Sequence, residues 1–96
     1  MALRDLRAFE DLQNEAERLV IDELERQLDM LPDDKVCKTD DCVLDMAAYA
    51  LNHVRPLYRV NLLGRLYATA PDDERNAEIS RAVAEAIRKI SENPSR

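Results

Sequence analysis

The 96-residue chain has little of what builds turns and aromatic cores: one glycine, four prolines, one phenylalanine and no tryptophan. So few turn residues disfavour a sandwich or barrel made of many hairpins, and the core is expected to be aliphatic. No stretch reaches the roughly 18 consecutive apolar residues of a membrane span. Residues 1–10 include four charged side chains, so neither a signal peptide nor a membrane partner is expected.

Cysteine and histidine are also scarce. Two cysteines, Cys37 and Cys42, are too few for a secreted fold stapled by disulfides. We therefore expect a cytoplasmic protein whose two cysteines remain thiols. His53 is the only histidine, and no serine or cysteine stands at a recognisable catalytic spacing from it, so the chain is not expected to be an enzyme.

Helical periodicity dominates the sequence and predicts one all-α domain, residues 1–96, of about four helices. Apolar residues at three- and four-residue steps predict one long helix over 5–31, which Pro32 ends. Asp40 or Asp41 is expected to cap a second helix that runs to about residue 54. This helix is apolar nearly all round, which predicts a central place in the core. Because the first helix, of roughly seven turns, is longer than a small monomer covers, it is expected to pair with a second copy in a homodimer.

The second half of the chain carries weaker signals. Residues 57–60 are expected to be extended, and Asn61 is expected to cap a short helix within 61–70. A last helix is predicted over about 70–91, because a proline and two acids suit its start. Its apolar stripe is Ile79, Ala82, Val83, Ala86, Ile87 and Ile90.

Charge is distributed unevenly along the chain. The 20 acids and 14 bases give a net charge of −6, which disfavours direct binding to DNA. Residues 46–71 nevertheless contain no acid, three arginines and all three tyrosines. Because guanidinium groups bind phosphate or guanine edges and phenol rings stack on purines, this segment suits a small phosphorylated purine. The candidate ligand-binding residues are Asn52, Arg55, Tyr58, Arg59, Asn61, Arg65 and Tyr67.

A structural interpretation of the same segment stays open. Tyrosines on helices usually pack half-buried, and arginines in an acidic protein often pair with carboxylates, here those of the first helix. Tyr49 lies on the nearly all-apolar helix and is expected to pack. Asn52, at the end of that helix, suits either a structural or a ligand-binding role.

Three motifs follow one another in the middle of the chain. They are Cys-Val-Leu-Asp-Met-Ala-Ala-Tyr-Ala-Leu-Asn over 42–52, Pro-Leu-Tyr over 56–58 and Gly-Arg-Leu-Tyr-Ala over 64–68. In this order and spacing they resemble the ComFB family, named for a late-competence protein of bacteria. The resemblance is strongest over residues 37–70 and extends more weakly to both flanking helices.

This resemblance implies an all-α, dimeric, cytosolic protein without a catalytic apparatus. Members of the family are receptors for cyclic dinucleotides, chiefly cyclic di-GMP and also cyclic di-AMP, and are linked to motility, pili and natural competence. On this basis we expect a signalling protein that binds a cyclic dinucleotide and acts on a downstream protein that the sequence does not identify. The alternative is a dimeric protein-interaction adaptor of the same fold that binds no nucleotide.

The chain departs from the family in its cysteines. Some members carry Cys-x-Cys-x-x-Cys before the aspartate of the first motif, and this cluster binds zinc. Here Cys37 and Cys42 take the outer positions and Thr39 stands at the middle one. Tetrahedral zinc generally needs four Cys or His ligands, so neither a zinc site nor another cofactor is expected.

Overall fold

The computed structural model describes residues 11–60 and 73–93. These residues form three helices and one small antiparallel sheet, which confirms the predicted helical class. In chain order the elements are β1 (Gln13–Asn14), α1 (Glu15–Asp29), α2 (Asp40–Leu51), β2 (Tyr58–Arg59) and α3 (Asp73–Glu92). The short helix predicted within 61–70 lies outside the described residues.

Helix α1 begins later than the sequence predicts. The Asn14 side chain caps it by accepting a hydrogen bond from the Ala16 N–H at 3.1 Å. Strand β1, which immediately precedes the helix, pairs with β2, so the prediction of one continuous helix over 5–31 is wrong. The helix ends at Asp29. Leu31 lies just before Pro32, and a proline disfavours the helical conformation in the residue before it.

Helix α2 starts at Asp40, close to the predicted start, but its cap is Thr39, so the prediction of Asp40 or Asp41 as the cap is wrong. The Thr39 side chain accepts a hydrogen bond from the Cys42 N–H at 3.2 Å. At the other end the Asn52 N–H donates to the Ala48 carbonyl at 3.1 Å, and the helix stops there rather than at Val54.

Only one side of α2 is buried. Cys42, Met46 and Ala50 lie in the core, whereas the Leu44 side chain is 68% exposed. The prediction of a helix buried nearly all round is therefore wrong, because α1 and α3 cover only part of its surface.

The core lies between the three helices and is aliphatic, as predicted. Helix α2 packs on both α1 and α3. Met46, Val20 and Val83 are 0% exposed. The predicted stripe of α3 is confirmed: Ile79, Ala82, Val83, Ala86 and Ile87 are buried, and Ile90 packs against them.

Polar side chains also tie α1 to α3. Gln27 donates to the Glu23 carboxylate at 2.7 Å and to the Ser80 carbonyl at 3.1 Å. Arg26 pairs with Glu23 at 2.6 Å, and this hydrogen bond is the main reason that the pKa of Glu23 falls to about 2.

The connector between α1 and α2 is closed by a disulfide. It joins Cys37 to Cys42, so the prediction of two thiols is wrong. Thr39 turns the chain into α2 and brings the two Cα atoms to 6.0 Å, a separation that a disulfide spans. Cysteine spacing in the sequence does not fix this distance, because it depends on how the chain enters the helix.

Candidate functional site

Four of the predicted ligand-binding residues lie in the chain that leaves the C-terminal end of α2. They are Asn52, Arg55, Tyr58 and Arg59, and we call residues 52–60 the candidate segment. Asn61, Arg65 and Tyr67 lie outside the described residues.

The candidate segment starts with a polar turn. Asn52 is exposed and ends α2. The next side chain, His53, stacks on Tyr49 with 4.2 Å between the ring centroids. His53 Nδ1 lies 2.7 Å from the Tyr49 carbonyl oxygen. Because a carbonyl only accepts hydrogen bonds, Nδ1 carries the proton and leaves Nε2 as the acceptor of the neutral ring.

Asn14 fixes the middle of the candidate segment to the start of α1. Its side-chain oxygen accepts the Leu57 N–H at 2.8 Å as well as the Ala16 N–H. The Glu15 N–H donates to the Leu57 carbonyl at 2.7 Å. One asparagine therefore begins a helix and positions a segment 43 residues away in sequence.

Tyr58 is presented to solvent from this fixed backbone. It pairs with Asn14 across the sheet, and it is 55% exposed. The ring borders an open cavity of 410 Å³ that it shares with residues at the start of α1, including Arg18. The guanidinium of the next residue, Arg59, donates to the Tyr58 carbonyl at 3.0 Å. A phenol face and a guanidinium thus lie on adjacent residues of one short strand.

Arg55 is held by α3 instead. Its N–H and its guanidinium donate to the two carboxylate oxygens of Glu78 at 3.1 and 3.2 Å, and the ion pair is 3.2 Å long. Burial acts to raise the pKa of Glu78, but hydrogen bonds and the positive charge of Arg55 outweigh it, so this pKa lies below its ordinary value. Arg55 therefore has a carboxylate partner, on the last helix rather than on the first.

The structure divides the candidate segment between two surfaces. Tyr58 borders the cavity beside α1. His53 and Glu78 border another cavity, of 270 Å³, between α2 and α3. Tyr58 thus faces the start of α1, and Arg55 is tied to α3.

Sequence reasoning missed two residues that shape this site, Asn14 and Glu78. Asn14 did have a local signal, because an asparagine followed three residues later by Glu17 is typical of a helix start. Glu78 had none, since its contact with Arg55 spans 23 residues of sequence.

A second surface lies between α1 and α2. We call it the α1–α2 groove: its volume is 480 Å³, and its rim carries Glu25, Asp29 and Lys38. Its apolar lining is Ile21, Leu24, Leu28, Val43, Leu44 and Ala47. Ile21 is 53% exposed and Leu44 is 68% exposed, so this apolar surface is open to a partner.

Two features are absent from residues 11–60 and 73–93. Within these ranges, no helix is both long enough and apolar enough to cross a membrane. Over the same residues, no group of three or more His, Cys, Asp or Glu side chains is placed to hold a metal ion.

Comparison with known proteins connects this fold to one family. A family model described as late competence development protein ComFB matches residues 13–94. The solved structure of the late competence protein ComFB from Bacillus subtilis matches with a TM-score of 0.73 and 30% identity, over 88% of this chain and 92% of that one. The comparison with curated proteins finds no match. Because the family match spans all the described helices and both strands, the chain belongs to the ComFB family.

Proposed function

We propose that this chain is a non-catalytic receptor for a cyclic dinucleotide, with cyclic di-GMP as the first candidate and cyclic di-AMP as the second. The observation that carries the proposal is the exposed ring of Tyr58, presented beside Arg59 on a strand bound to α1. An aromatic face next to a guanidinium suits a purine base and its phosphate. The acid-free composition of residues 46–71 also favours an anion there.

The candidate residues have separate roles in this proposal. Tyr58 stacks on a base, and Arg59 binds a phosphate through paired hydrogen bonds. The exposed amide of Asn52 contacts the polar edge of a base. In the same proposal Asn61 adds a second amide, Arg65 binds a phosphate and Tyr67 stacks on a base.

Arg55 must exchange a partner if it binds the ligand. Its guanidinium already pairs with Glu78, so a phosphate would have to displace that carboxylate. The cost is modest, because the Arg55 side chain is 61% exposed and exposed ion pairs contribute about 1 kcal/mol or less. We therefore expect Arg55 to contribute to affinity only what remains after this cost.

The proposal includes a homodimer that forms through the α1–α2 groove. A second copy would cover Ile21 and Leu44, which are more than half exposed. The rim also suits a two-fold partner, because it carries Glu25 and Asp29 on α1 and a single lysine, Lys38, across the groove. In a two-fold arrangement the lysine of each copy can face the acids of the other.

We place this receptor in the cytoplasm, upstream of a protein partner in competence, motility or pilus signalling. Competence is the process that the family description, late competence development protein ComFB, names. Direct DNA binding is not part of the proposal, since the net charge is −6. Zinc is not part of it either, because the disulfide uses both sulfurs of Cys37 and Cys42.

Titration calorimetry with cyclic di-GMP and cyclic di-AMP, side by side, tests the receptor proposal. We expect one of them to bind the full chain, and we expect Arg59→Ala and Arg65→Ala to weaken binding by about 1.5–3 kcal/mol, the range for charged hydrogen bonds. Arg88→Ala is the matched control, because Arg88 is an exposed arginine of α3 that pairs with Glu85 and Glu92. The absence of both binding heat and competition, with either nucleotide, would contradict the proposal.

The second candidate function is a protein-interaction adaptor without a nucleotide. It is favoured by one observation, the open apolar α1–α2 groove. The variant Leu44→Glu separates the groove from the candidate segment, since it should disrupt pairing through the groove and leave any nucleotide affinity within about twofold of wild type. Light scattering that reports a particle of 11.0 kDa for the wild type at micromolar concentration would contradict the dimer.

A further inference from the structure

The Cys37–Cys42 disulfide lies where one short segment contacts all three helices. The Cys37 N–H donates to the Ser91 hydroxyl of α3 at 3.2 Å. The Lys38 ammonium donates to the Leu31 carbonyl, just beyond α1, at 2.8 Å. Thr39 caps α2. The disulfide therefore closes a segment that holds one end of each helix.

The two sulfurs of this bond differ in access. Cys42 is 0% exposed and belongs to the core. Cys37 is only partly buried, and its sulfur lies 3.5 Å from the Thr39 hydroxyl in exposed surroundings. A thiolate from another molecule can therefore approach the Cys37 sulfur and not the Cys42 sulfur.

We propose that Cys37 and Cys42 form a reversible thiol–disulfide exchange site whose substrate is a dithiol reductant of the thioredoxin class. Its redox state controls the connector, residues 31–39. Disulfides in reducing compartments are rare, and those present are usually transient and catalytic or redox-sensing. A disulfide with one accessible sulfur, placed at the meeting point of three helices, has the geometry of such a site.

The exchange balances in two steps. A thiolate of the reductant attacks the Cys37 sulfur, a mixed disulfide forms, and the Cys37–Cys42 bond breaks with its electron pair on the Cys42 sulfur, which takes a proton from water. The second thiolate of the reductant then attacks the first sulfur of the reductant, which is bonded to Cys37 in the mixed disulfide. Cys37 leaves as a thiolate and takes a second proton, and the dithiol is oxidised to its disulfide.

Reduction releases the connector and keeps the helices. The Cys42 thiol remains in the core as a small apolar side chain, and Thr39 still caps α2. The connector then loses its side-chain link to α2 and keeps only the main-chain one, so the bond from the Cys37 N–H to Ser91 is no longer held in place. Since Lys38 is on the rim of the α1–α2 groove, the redox state also reaches that surface.

A lysine-specific endoprotease tests this proposal on the full chain. The chain has three lysines, Lys35 and Lys38 in the connector and Lys89 in α3. With the disulfide formed, we expect slow cleavage at the connector. After dithiothreitol, a dithiol, we expect local opening to accelerate cleavage there at least roughly tenfold more than cleavage at Lys89. Cys37→Ser should be cleaved quickly with and without the dithiol.

Three outcomes would overturn the proposal. The first is equal connector cleavage with the disulfide formed and reduced. The second is reduction that proceeds only at the rate of global unfolding, measured by thiol release against circular dichroism. The third is failure of the folded, reduced protein to re-form the bond with oxidised dithiothreitol. If Cys37→Ser fails to fold, Cys42→Ala gives the same comparison, because alanine suits the buried position of Cys42.

Discussion

The two ends of α2 are attached to their surroundings by different chemistry. At the N-terminal end, a disulfide and the Thr39 cap hold the chain, and the Cys37 N–H reaches Ser91 of α3. At the C-terminal end, the Arg55–Glu78 ion pair reaches α3 and the Asn14 side chain holds Leu57. The first end therefore responds to thiols, whereas the second responds to charge and to an anionic ligand.

The largest effect on the free energy of unfolding is expected from Asn14→Ala, which acts at the C-terminal end of α2 and not at its N-terminal end. It removes the cap of α1, worth about 1 kcal/mol, and leaves the partly buried Leu57 N–H without its acceptor, which costs about 1–3 kcal/mol. Urea unfolding should therefore show a loss of about 2–4 kcal/mol in the free energy of unfolding.

Asn14→Asp is the matched control for that change. A carboxylate keeps an acceptor for both N–H groups and also caps helices well, so we expect stability within about 0.5 kcal/mol of wild type. Equal stability of Asn14→Ala and wild type would show that the Asn14 contacts do not hold the candidate segment.

The next effect concerns the N-terminal end. Cys37→Ser removes a disulfide of sequence separation 5, and loop closure of so short a segment stabilises by about 2 kcal/mol. The same loss is expected for the wild type in a dithiol, measured by thermal unfolding. A wild-type protein whose melting temperature ignores the dithiol, while that of Cys37→Ser is lower, would contradict the assignment of the effect to the disulfide.

Local sequence rules predict the N-terminal end of α2 better than the C-terminal end. The start of α2 to within two residues, the proline stop after α1 and the stripe of α3 follow from neighbouring residues, and the structure bears them out. The pairing of β1 with β2 does not, because its partners are far apart in sequence. The disulfide was missed because its geometry comes from the turn at Thr39.

For the candidate site, sequence predicts residue types but not partners. The exposure of Tyr58 and its position beside Arg59 suit the predicted chemistry. The engagement of Arg55 with Glu78 required the packing of α3 on α2. A contact between distant residues has no local signal, so sequence patterns could not separate Arg55 from Arg59.

The smallest effect on the free energy of unfolding is expected from Glu78→Gln. The pKa of Glu78 is lowered in the fold, so its ionised form stabilises the protein above the ordinary pKa of a glutamate, and this contribution is lost as the pH falls. Because Arg55 is 61% exposed, the loss at pH 7 should be about 0.5–1 kcal/mol. Urea unfolding should show the difference between the variant and the wild type shrinking as the pH falls below the ordinary pKa of a glutamate, because the native carboxylate then protonates. A difference that stays constant with pH would contradict the ion-pair explanation.

Hydrogen exchange of the full chain, measured with and without dithiothreitol and with and without cyclic di-GMP, tests most directly whether the two ends of α2 are controlled separately. The account predicts that the dithiol accelerates exchange at residues 33–39 and leaves 52–60 unchanged. It predicts that cyclic di-GMP slows exchange at 52–60 and leaves 33–39 unchanged. A cyclic dinucleotide that alters neither segment, or one reagent that alters both to the same extent, would contradict it.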